Sequence, residues 1–73
     1  MSAIAKGQLN LTVNGVRRRV DAATVAELLF ALGIEPKMVA VERNRAIVPK
    51  SLYRSTILAD GDALEIVQFV GGG

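Results

Sequence analysis

The 73-residue chain contains no cysteine and no histidine. Without cysteine it can form neither a disulfide nor a thiolate metal site, and without imidazole its Ser and Thr hydroxyls lack the base that usually activates such nucleophiles. Its 7 carboxylates are scattered, and most lie beside turn or helix-cap signals, so they indicate no acid–base pair. We therefore predict that the chain is not an enzyme by itself, has no metal site and binds no cofactor stably.

Aromatic residues are also few, two Phe and one Tyr, so the core must be aliphatic, and an apolar content of 51% is sufficient to build one. At this length one domain is the upper limit. No apolar run approaches the ~20 residues that cross a bilayer, and residues 1–6 lack the apolar core of a secretory signal. We expect a single cytoplasmic domain, residues 1–73, that does not contact a membrane. The net charge of +2 is too small to indicate nucleic-acid binding by itself.

A β-hairpin is predicted at residues 8–20. Apolar residues alternate with polar ones in its first half, as in a half-buried strand, at positions Leu9, Leu11 and Val13. Asn14-Gly15 follows at once, and this dipeptide favours a type I′ hairpin turn because both positions need a positive φ. The second strand then begins at Val16, directly opposite Val13.

Three consecutive arginines, Arg17 to Arg19, lie in the second strand. The hairpin register places Arg18 on the apolar face, which is tolerated at the edge of a sheet, where the long side chain can reach water. We therefore predict an edge strand. A phosphate contact is the alternative, and it is disfavoured because no aromatic side chain interleaves with the arginines.

Residues 24–32 carry the signals of one short α-helix. Thr24 and Glu27 form a capping-box pattern at its start, while Gly33 and Pro36 mark its end. The apolar residues between them fall on one stripe at helical spacing, namely Val25, Leu28, Leu29 and Leu32. A helix of about nine residues is too short to persist alone, so we expect it to pack on the hairpin.

Three further strands are predicted, at residues 38–43, 46–48 and 63–70, with an irregular segment at 51–58 and a turn at 60–62. The turn resembles part of a cation-binding loop, but the other oxygen ligands at loop spacing are missing. The element order β, β, α, β, β, β is typical of a two-layer α+β domain in which one helix crosses one face of the sheet.

The last strand is the longest and most apolar, so it should lie in the middle of the sheet. Leu64 and Ile66 point to one face, and Glu65, Val67 and Phe69 point to the other. Because the helix covers only one face, we expect one of these two rows to be partly exposed.

The sequence ends in Gly71-Gly72-Gly73, directly after this strand. Glycine has no side chain and resists ordering in a helix or strand, so we expect a flexible tail, residues 71–73, after a folded body at residues 8–70. A filament without side chains can enter a channel too narrow for any Cβ and deliver its terminal carboxylate into another protein's active site. A frayed terminus or a cloning remnant is the alternative.

This order of elements with a terminal Gly-Gly resembles the ubiquitin-like β-grasp fold, a mixed sheet of four to five strands with one helix packed across one face. The closer resemblance is to the ThiS family of sulfur-carrier proteins in thiamine biosynthesis, and it covers residues 8–73. Four stretches carry it: Val-Asn-Gly at 13–15, Thr-Val-Ala-Glu-Leu-Leu at 24–29, Ala-Val-Glu-Arg-Asn at 40–44 with Ile-Val-Pro-Lys-Ser at 47–51, and Asp-Gly-Asp at 60–62 running through 65–67 to Phe-Val-Gly-Gly-Gly at 69–73.

The resemblance implies a cycle that partner proteins run. A ThiF-like adenylating enzyme would use ATP to activate the carboxylate of Gly73, and a sulfur donor system, ultimately a cysteine desulfurase, would convert the adenylate into a thiocarboxylate. Thiazole synthase, ThiG, would take the sulfur to build the thiazole. Gly71 and Gly72 would occupy the channel of the partner.

The partners must also recognise the folded body. Val67, Phe69 and Val70 are the candidates for an exposed apolar docking row close to the tail. The alternative is that Val67 and Phe69 belong to a second small core beneath residues 51–58.

Three other functions stay open at this point. MoaD, the small subunit of molybdopterin synthase, uses the same terminal thiocarboxylate, although residues 47–50 and 69–73 look more like ThiS. A β-grasp RNA-binding or regulatory module would need a coherent basic face, and here the basic residues are interspersed with acids. A tag conjugated to target lysines, as ubiquitin is, would leave isopeptide adducts.

Overall fold

A five-stranded mixed sheet carries one α-helix across one face in the computed structural model, which describes residues 8–69. The strands are β1 (Gln8–Val13), β2 (Val16–Asp21), β3 (Val39–Arg43), β4 (Ala46–Val48) and β5 (Ala63–Gln68), and the helix α1 is Val25–Ala31. Two short 3-10 turns, Pro36–Met38 and Lys50–Leu52, precede β3 and follow β4. The predicted order of elements is confirmed.

The strands lie in the order β2-β1-β5-β3-β4, so β5 occupies the centre of the sheet and β2 an edge, as predicted. β5 runs parallel to β1, with Thr12 opposite Ala63 and Val13 opposite Leu64. It runs antiparallel to β3 over a longer register, from Val39 opposite Gln68. The last strand of the chain thus joins the hairpin to β3 and β4.

The hairpin follows the predicted register, with Val13 opposite Val16 and Leu11 opposite Arg18. Asn14 and Gly15 have φ angles of 50° and 82°, the positive values that a type I′ turn requires. The Arg18 side chain is exposed, as expected at an edge strand.

Helix α1 is capped at both ends by its own sequence. The Thr24 hydroxyl accepts a hydrogen bond from the Glu27 N–H (3.1 Å), and the Glu27 carboxylate reaches back to the Ala23 N–H (2.8 Å). This is a capping box shifted by one residue, since the carboxylate binds the N–H before the cap. At the other end the Gly33 N–H donates to Phe30 and the Ile34 N–H to Leu29, the pattern of a Schellman motif. Leu32 therefore lies at the C-cap, and the helix is shorter than the nine residues predicted.

The core lies between α1 and the sheet. It is aliphatic apart from one tyrosine and consists of Leu11, Val13, Val20, Ala22, Val25, Leu28, Leu29, Val39, Val41, Val48, Tyr53, Leu58, Leu64 and Ile66. Tyr53 and Leu58 come from the segment predicted to be irregular. The backbone of this segment is hydrogen-bonded to the start of α1 and the residue before its N-cap. The Ala26 N–H donates to Tyr53 O (2.8 Å), and the Leu58 N–H donates to Ala23 O (2.9 Å).

Three strand boundaries differ from the prediction. β2 extends to Asp21, one residue beyond the predicted end at residue 20. β3 begins at Val39, because Met38 ends the 3-10 turn that Pro36 starts. β5 ends at Gln68, whose partner Val39 is the first residue of β3, since Met38 before it belongs to the 3-10 turn. Phe69 follows outside the strand, and Val70 and the predicted tail at residues 71–73 lie outside the residues that the structure describes.

Candidate functional site

The face of the sheet opposite α1 is open, and β5 presents apolar side chains on it. Leu64 and Ile66 are buried under the helix, whereas Val67 is 60% exposed and Phe69 is 51% exposed. The strand alternation predicted these two rows, and the structure decides that the Val67–Phe69 row is the exposed one. We call Val67 and Phe69 the apolar row.

The neighbouring strands extend this surface. Ala40 of β3 lies directly across from Val67 and is exposed. Further along, Glu42 lies opposite Glu65, and both side chains are exposed. Like charges directly opposite each other on two strands repel, so the apolar row borders an acidic pair. Ile47 of β4, opposite Glu42, adds a side chain that is 75% exposed.

The apolar row does not cover a second core. Residues 51–58 lie instead against the start of α1, where an isolated bridge joins Thr24 to Ile57. Tyr53 and Leu58, the buried side chains of that segment, belong to the single core cluster under the helix. The alternative reading of Val67 and Phe69 is therefore wrong, and their docking role stays a prediction.

Phe69 is held where β5 ends. Its N–H donates to Met38 O over 2.8 Å, and its ring lies 5.2 Å from the ammonium nitrogen of Lys50, measured to the ring centroid. The same ammonium donates a hydrogen bond of 2.9 Å to Val39 O. The residue that precedes positions 70–73 is thus attached to the body by backbone and by side chain.

A buried carboxylate organises the turn before β5, where the sequence pattern predicts only a turn. Asp62 is 6% exposed and accepts hydrogen bonds from Arg43 Nε (2.7 Å), Asn44 Nδ2 (3.0 Å) and Ala59 N (2.8 Å). Burial alone would raise the pKa of Asp62, but these donors and the Arg43 charge outweigh it and hold the pKa below the ordinary value of 3.8. This ion pair ties the β3–β4 turn to β5.

The arginine run divides between the two faces of β2. Arg17 pairs with Thr12 and Arg19 with Asn10, whereas Arg18 pairs with Leu11, which is buried under the helix. Successive strand residues point to opposite faces, so Arg18 lies on the face opposite Arg17 and Arg19. All three arginines line one shallow cavity together with the acidic Asp60. The basic residues at this edge are therefore interspersed with an acid, which does not favour the RNA-binding alternative.

The structure describes none of the predicted tail residues. Gly71, Gly72 and Gly73 and the docking candidate Val70 lie outside residues 8–69. Within that range no group of three or more Asp or Glu side chains could hold a metal ion. No helix found there has the length and apolar character needed to cross a membrane.

Comparison with known proteins supplies the context for this surface. The ThiS family model matches residues 11–73. The sulfur carrier protein ThiS of Bacillus subtilis is 43% identical over 65 residues, which cover 89% of this chain and 98% of that protein. A crystal structure of the thiamine biosynthesis protein ThiS from Geobacter metallireducens matches with a TM-score of 0.75 at 42% identity, covering 89% of this chain and 100% of that one. The predicted ubiquitin-like β-grasp fold is thereby confirmed.

A second kind of relative is much longer. The thiazole synthase of Paramagnetospirillum magneticum is 52% identical over 66 residues, and that of Magnetococcus marinus is 41% identical over 66 residues. The match covers 89% of this chain in both cases but only 20% of each thiazole synthase.

Proposed function

The chain belongs to the ThiS family, and from this premise we propose that it is a sulfur carrier in thiamine biosynthesis whose C-terminal carboxylate is loaded and unloaded by other proteins. In this proposal Gly73 carries the sulfur as a thiocarboxylate. Gly71 and Gly72 occupy the narrow channel of the partner, and Val67, Phe69 and Val70 form the docking surface.

The chemistry explains why partners are needed. A carboxylate is a poor electrophile, so the carboxylate oxygen of Gly73 first attacks the α-phosphorus of ATP in a ThiF-like enzyme, and pyrophosphate leaves. A persulfide of the donor system then attacks the acyl carbon and displaces AMP, which gives an acyl disulfide. A second thiol of the donor system attacks the donor sulfur of that disulfide, so the S–S bond breaks, the thiocarboxylate leaves and the donor side ends as a disulfide. The chain itself contains no cysteine to intercept the activated acyl group. ATP is consumed by the partner, which supports the cytoplasm as the site of the cycle.

The observation that carries the proposal is the exposed apolar row at the end of the central strand. A side chain that is about half exposed on a free domain becomes buried only when a partner covers it, and aromatic side chains, Phe included, are enriched at protein interfaces relative to the rest of the surface. Phe69 is 51% exposed and lies just before the residues that would enter the partner. Docking on the row would therefore place the tail at the mouth of the partner's channel.

The longer relatives support thiazole synthase as the acceptor. In two proteins named thiazole synthase, a region of about one fifth of the length is similar to this chain. Covalent linkage of two regions in one chain is a common arrangement of proteins that act on each other. We propose that this chain delivers its sulfur to thiazole synthase, ThiG.

Intact-mass measurement of the protein tests the function. The chain would be isolated from cells with and without the ThiF-like enzyme and the sulfur donor. We expect an oxygen-for-sulfur increment on the C-terminal peptide only when both are present. Isopeptide adducts on other proteins would indicate a conjugated tag, and activation by the adenylating enzyme of molybdopterin synthesis but not by the thiamine enzyme would indicate a MoaD-like carrier.

A further inference from the structure

Lys50 lies at the end of the sheet where β5 stops, and its ammonium group serves two parts of the structure at once. It donates to Val39 O over 2.9 Å and lies 5.2 Å from the centroid of the Phe69 ring. Val39 is fully buried and pairs with Gln68 at the last rung between β3 and β5. The lysine therefore joins the final rung of the sheet to the first residue beyond it.

No carboxylate among residues 8–69 competes with the Phe69 ring for the Lys50 ammonium. The ion pair found among residues 8–69 joins Arg43 to Asp62, and Lys50 forms none there. The carbonyl that it binds also accepts the Tyr53 hydroxyl, at a longer distance of 3.3 Å. An ammonium without a carboxylate partner is attracted to the negative face of an aromatic ring, and Phe69 stays 51% exposed in this contact.

We propose that Lys50 is a positioning residue for partner docking: it acts through Phe69, holding that ring in the orientation that the activating enzyme recognises. The inference rests on the proposed function, because it concerns the docking row of the same carrier. Lys50 has no part in the chemistry at Gly73. Its effect is to reduce the number of ring orientations that binding would otherwise have to restrict.

The side chain must supply both a stem and a charge. Lys50→Met keeps an unbranched apolar stem but loses the hydrogen bond to Val39 O and the attraction to the ring. Lys50→Arg keeps a cation that can stack on an aromatic face and donate to a carbonyl. Lys37 offers a matched control, since it is an exposed lysine in the 3-10 turn before β3 for which no contact with Phe69 is found.

The test measures adenylation by the ThiF-like enzyme, as ATP–pyrophosphate exchange, with increasing concentrations of each carrier. For Lys50→Met we expect KM for the carrier to rise about two- to fivefold, the equivalent of one exposed cation–ring contact, with kcat unchanged. We expect Lys50→Arg to restore most of the wild-type KM and Lys37→Met to leave it unchanged. Hydrogen exchange of the Phe69 amide should accelerate in Lys50→Met alone.

The outcomes separate the two proposals. Equal KM values for wild type, Lys50→Met and Lys37→Met would overturn the inference while leaving the carrier function intact. A fall in kcat without a change in KM would also overturn it, because positioning for docking acts on binding. If the wild-type chain is not adenylated at all, the proposed function fails and the inference fails with it.

Discussion

The side-chain amide of Asn14 binds both backbone groups of Ile66, which lies 52 residues away in sequence. Its Nδ2 donates to Ile66 O over 3.0 Å, and its Oδ1 accepts from Ile66 N over 2.7 Å. The paired residues of β1 and β5 end at Val13 and Leu64. The amide therefore adds one more rung to the parallel pair, from a turn residue that the hairpin requires for a different reason.

Replacing this amide should destabilise the fold. Asn14→Asp keeps the size of the side chain and its tolerance of a positive φ, but it places a carboxylate oxygen against Ile66 O. We expect a loss of roughly 1–3 kcal/mol in the free energy of unfolding, measured by urea denaturation. The control is Asn10→Asp, whose exposed side chain makes no hydrogen bond within residues 8–69. Equal unfolding midpoints for the two variants would contradict this account.

The buried Asp62 should make stability depend on pH in acid. Its pKa is lower in the folded chain than the ordinary value of 3.8, so the unfolded chain takes up the proton first. The stabilisation is therefore complete above the ordinary value and is lost as the pH falls through the folded pKa. Asp62→Asn should cost roughly 1–3 kcal/mol at neutral pH, as for hydrogen bonds to a charged group.

The measurement is urea denaturation of both proteins at several pH values. The difference between wild type and Asp62→Asn should be constant near neutrality and shrink below about pH 4. Asp21→Asn is the control, since Asp21 is exposed at the end of β2. A difference that persists unchanged in strong acid would show that packing, not ionisation, is lost in the variant.

If the apolar row docks on the partner, a substitution in it should weaken binding without lowering stability. Phe69→Ala should raise the KM of the carrier for the activating enzyme about tenfold or more, the size expected for an aromatic residue at the centre of an interface. The thermal midpoint should change little, because the side chain is 51% exposed. Phe30→Ala is the matched control: Phe30 is 86% exposed on α1, on the opposite side of the sheet. Unfolding of Phe69→Ala would remove the support for docking.

Deletion of Gly73 should abolish thiocarboxylate formation, because it moves the terminal carboxylate one residue away from the position that the partner's active site requires. We expect the free energy of unfolding to stay within about 0.5 kcal/mol of wild type. Mass spectrometry after incubation with the partners measures thiocarboxylate formation. Urea denaturation of the same variant measures its free energy of unfolding. Removal of residues 2–6, which precede the family match at 11–73, is the control and should leave loading intact.

Patterns confined to neighbouring residues were sufficient for much of the fold. Asn14-Gly15 predicts the hairpin and its register because two adjacent positive φ angles leave few other turns. Local signals also predicted both ends of the helix, the capping box at its start and Gly33 with Pro36 at its end. Leu32, which the sequence pattern places inside the helix, is its C-cap. The Asp62 network could not be predicted in this way, because its donors at Arg43 and Asn44 are 19 and 18 residues away.

The candidate site shows the same division. Alternation along β5 predicted that Val67 and Phe69 share one row, and a single helix, which covers only one face of the sheet, implied that one row would be open. The choice between the rows needed the helix in place over Leu64 and Ile66.

The sequence by itself determined the turns, the caps, the alternation of each strand and the glycine ending, because each depends on the conformational preferences of a few adjacent residues. Only the tertiary structure decided which face of β5 is exposed, why Asp62 is buried, and that Lys50 lies over Phe69. These relationships arise when β5 inserts between β1 and β3. Insertion brings together residues that no local pattern connects. The favourable free energy of this insertion comes from burying the apolar side chains of one shared core.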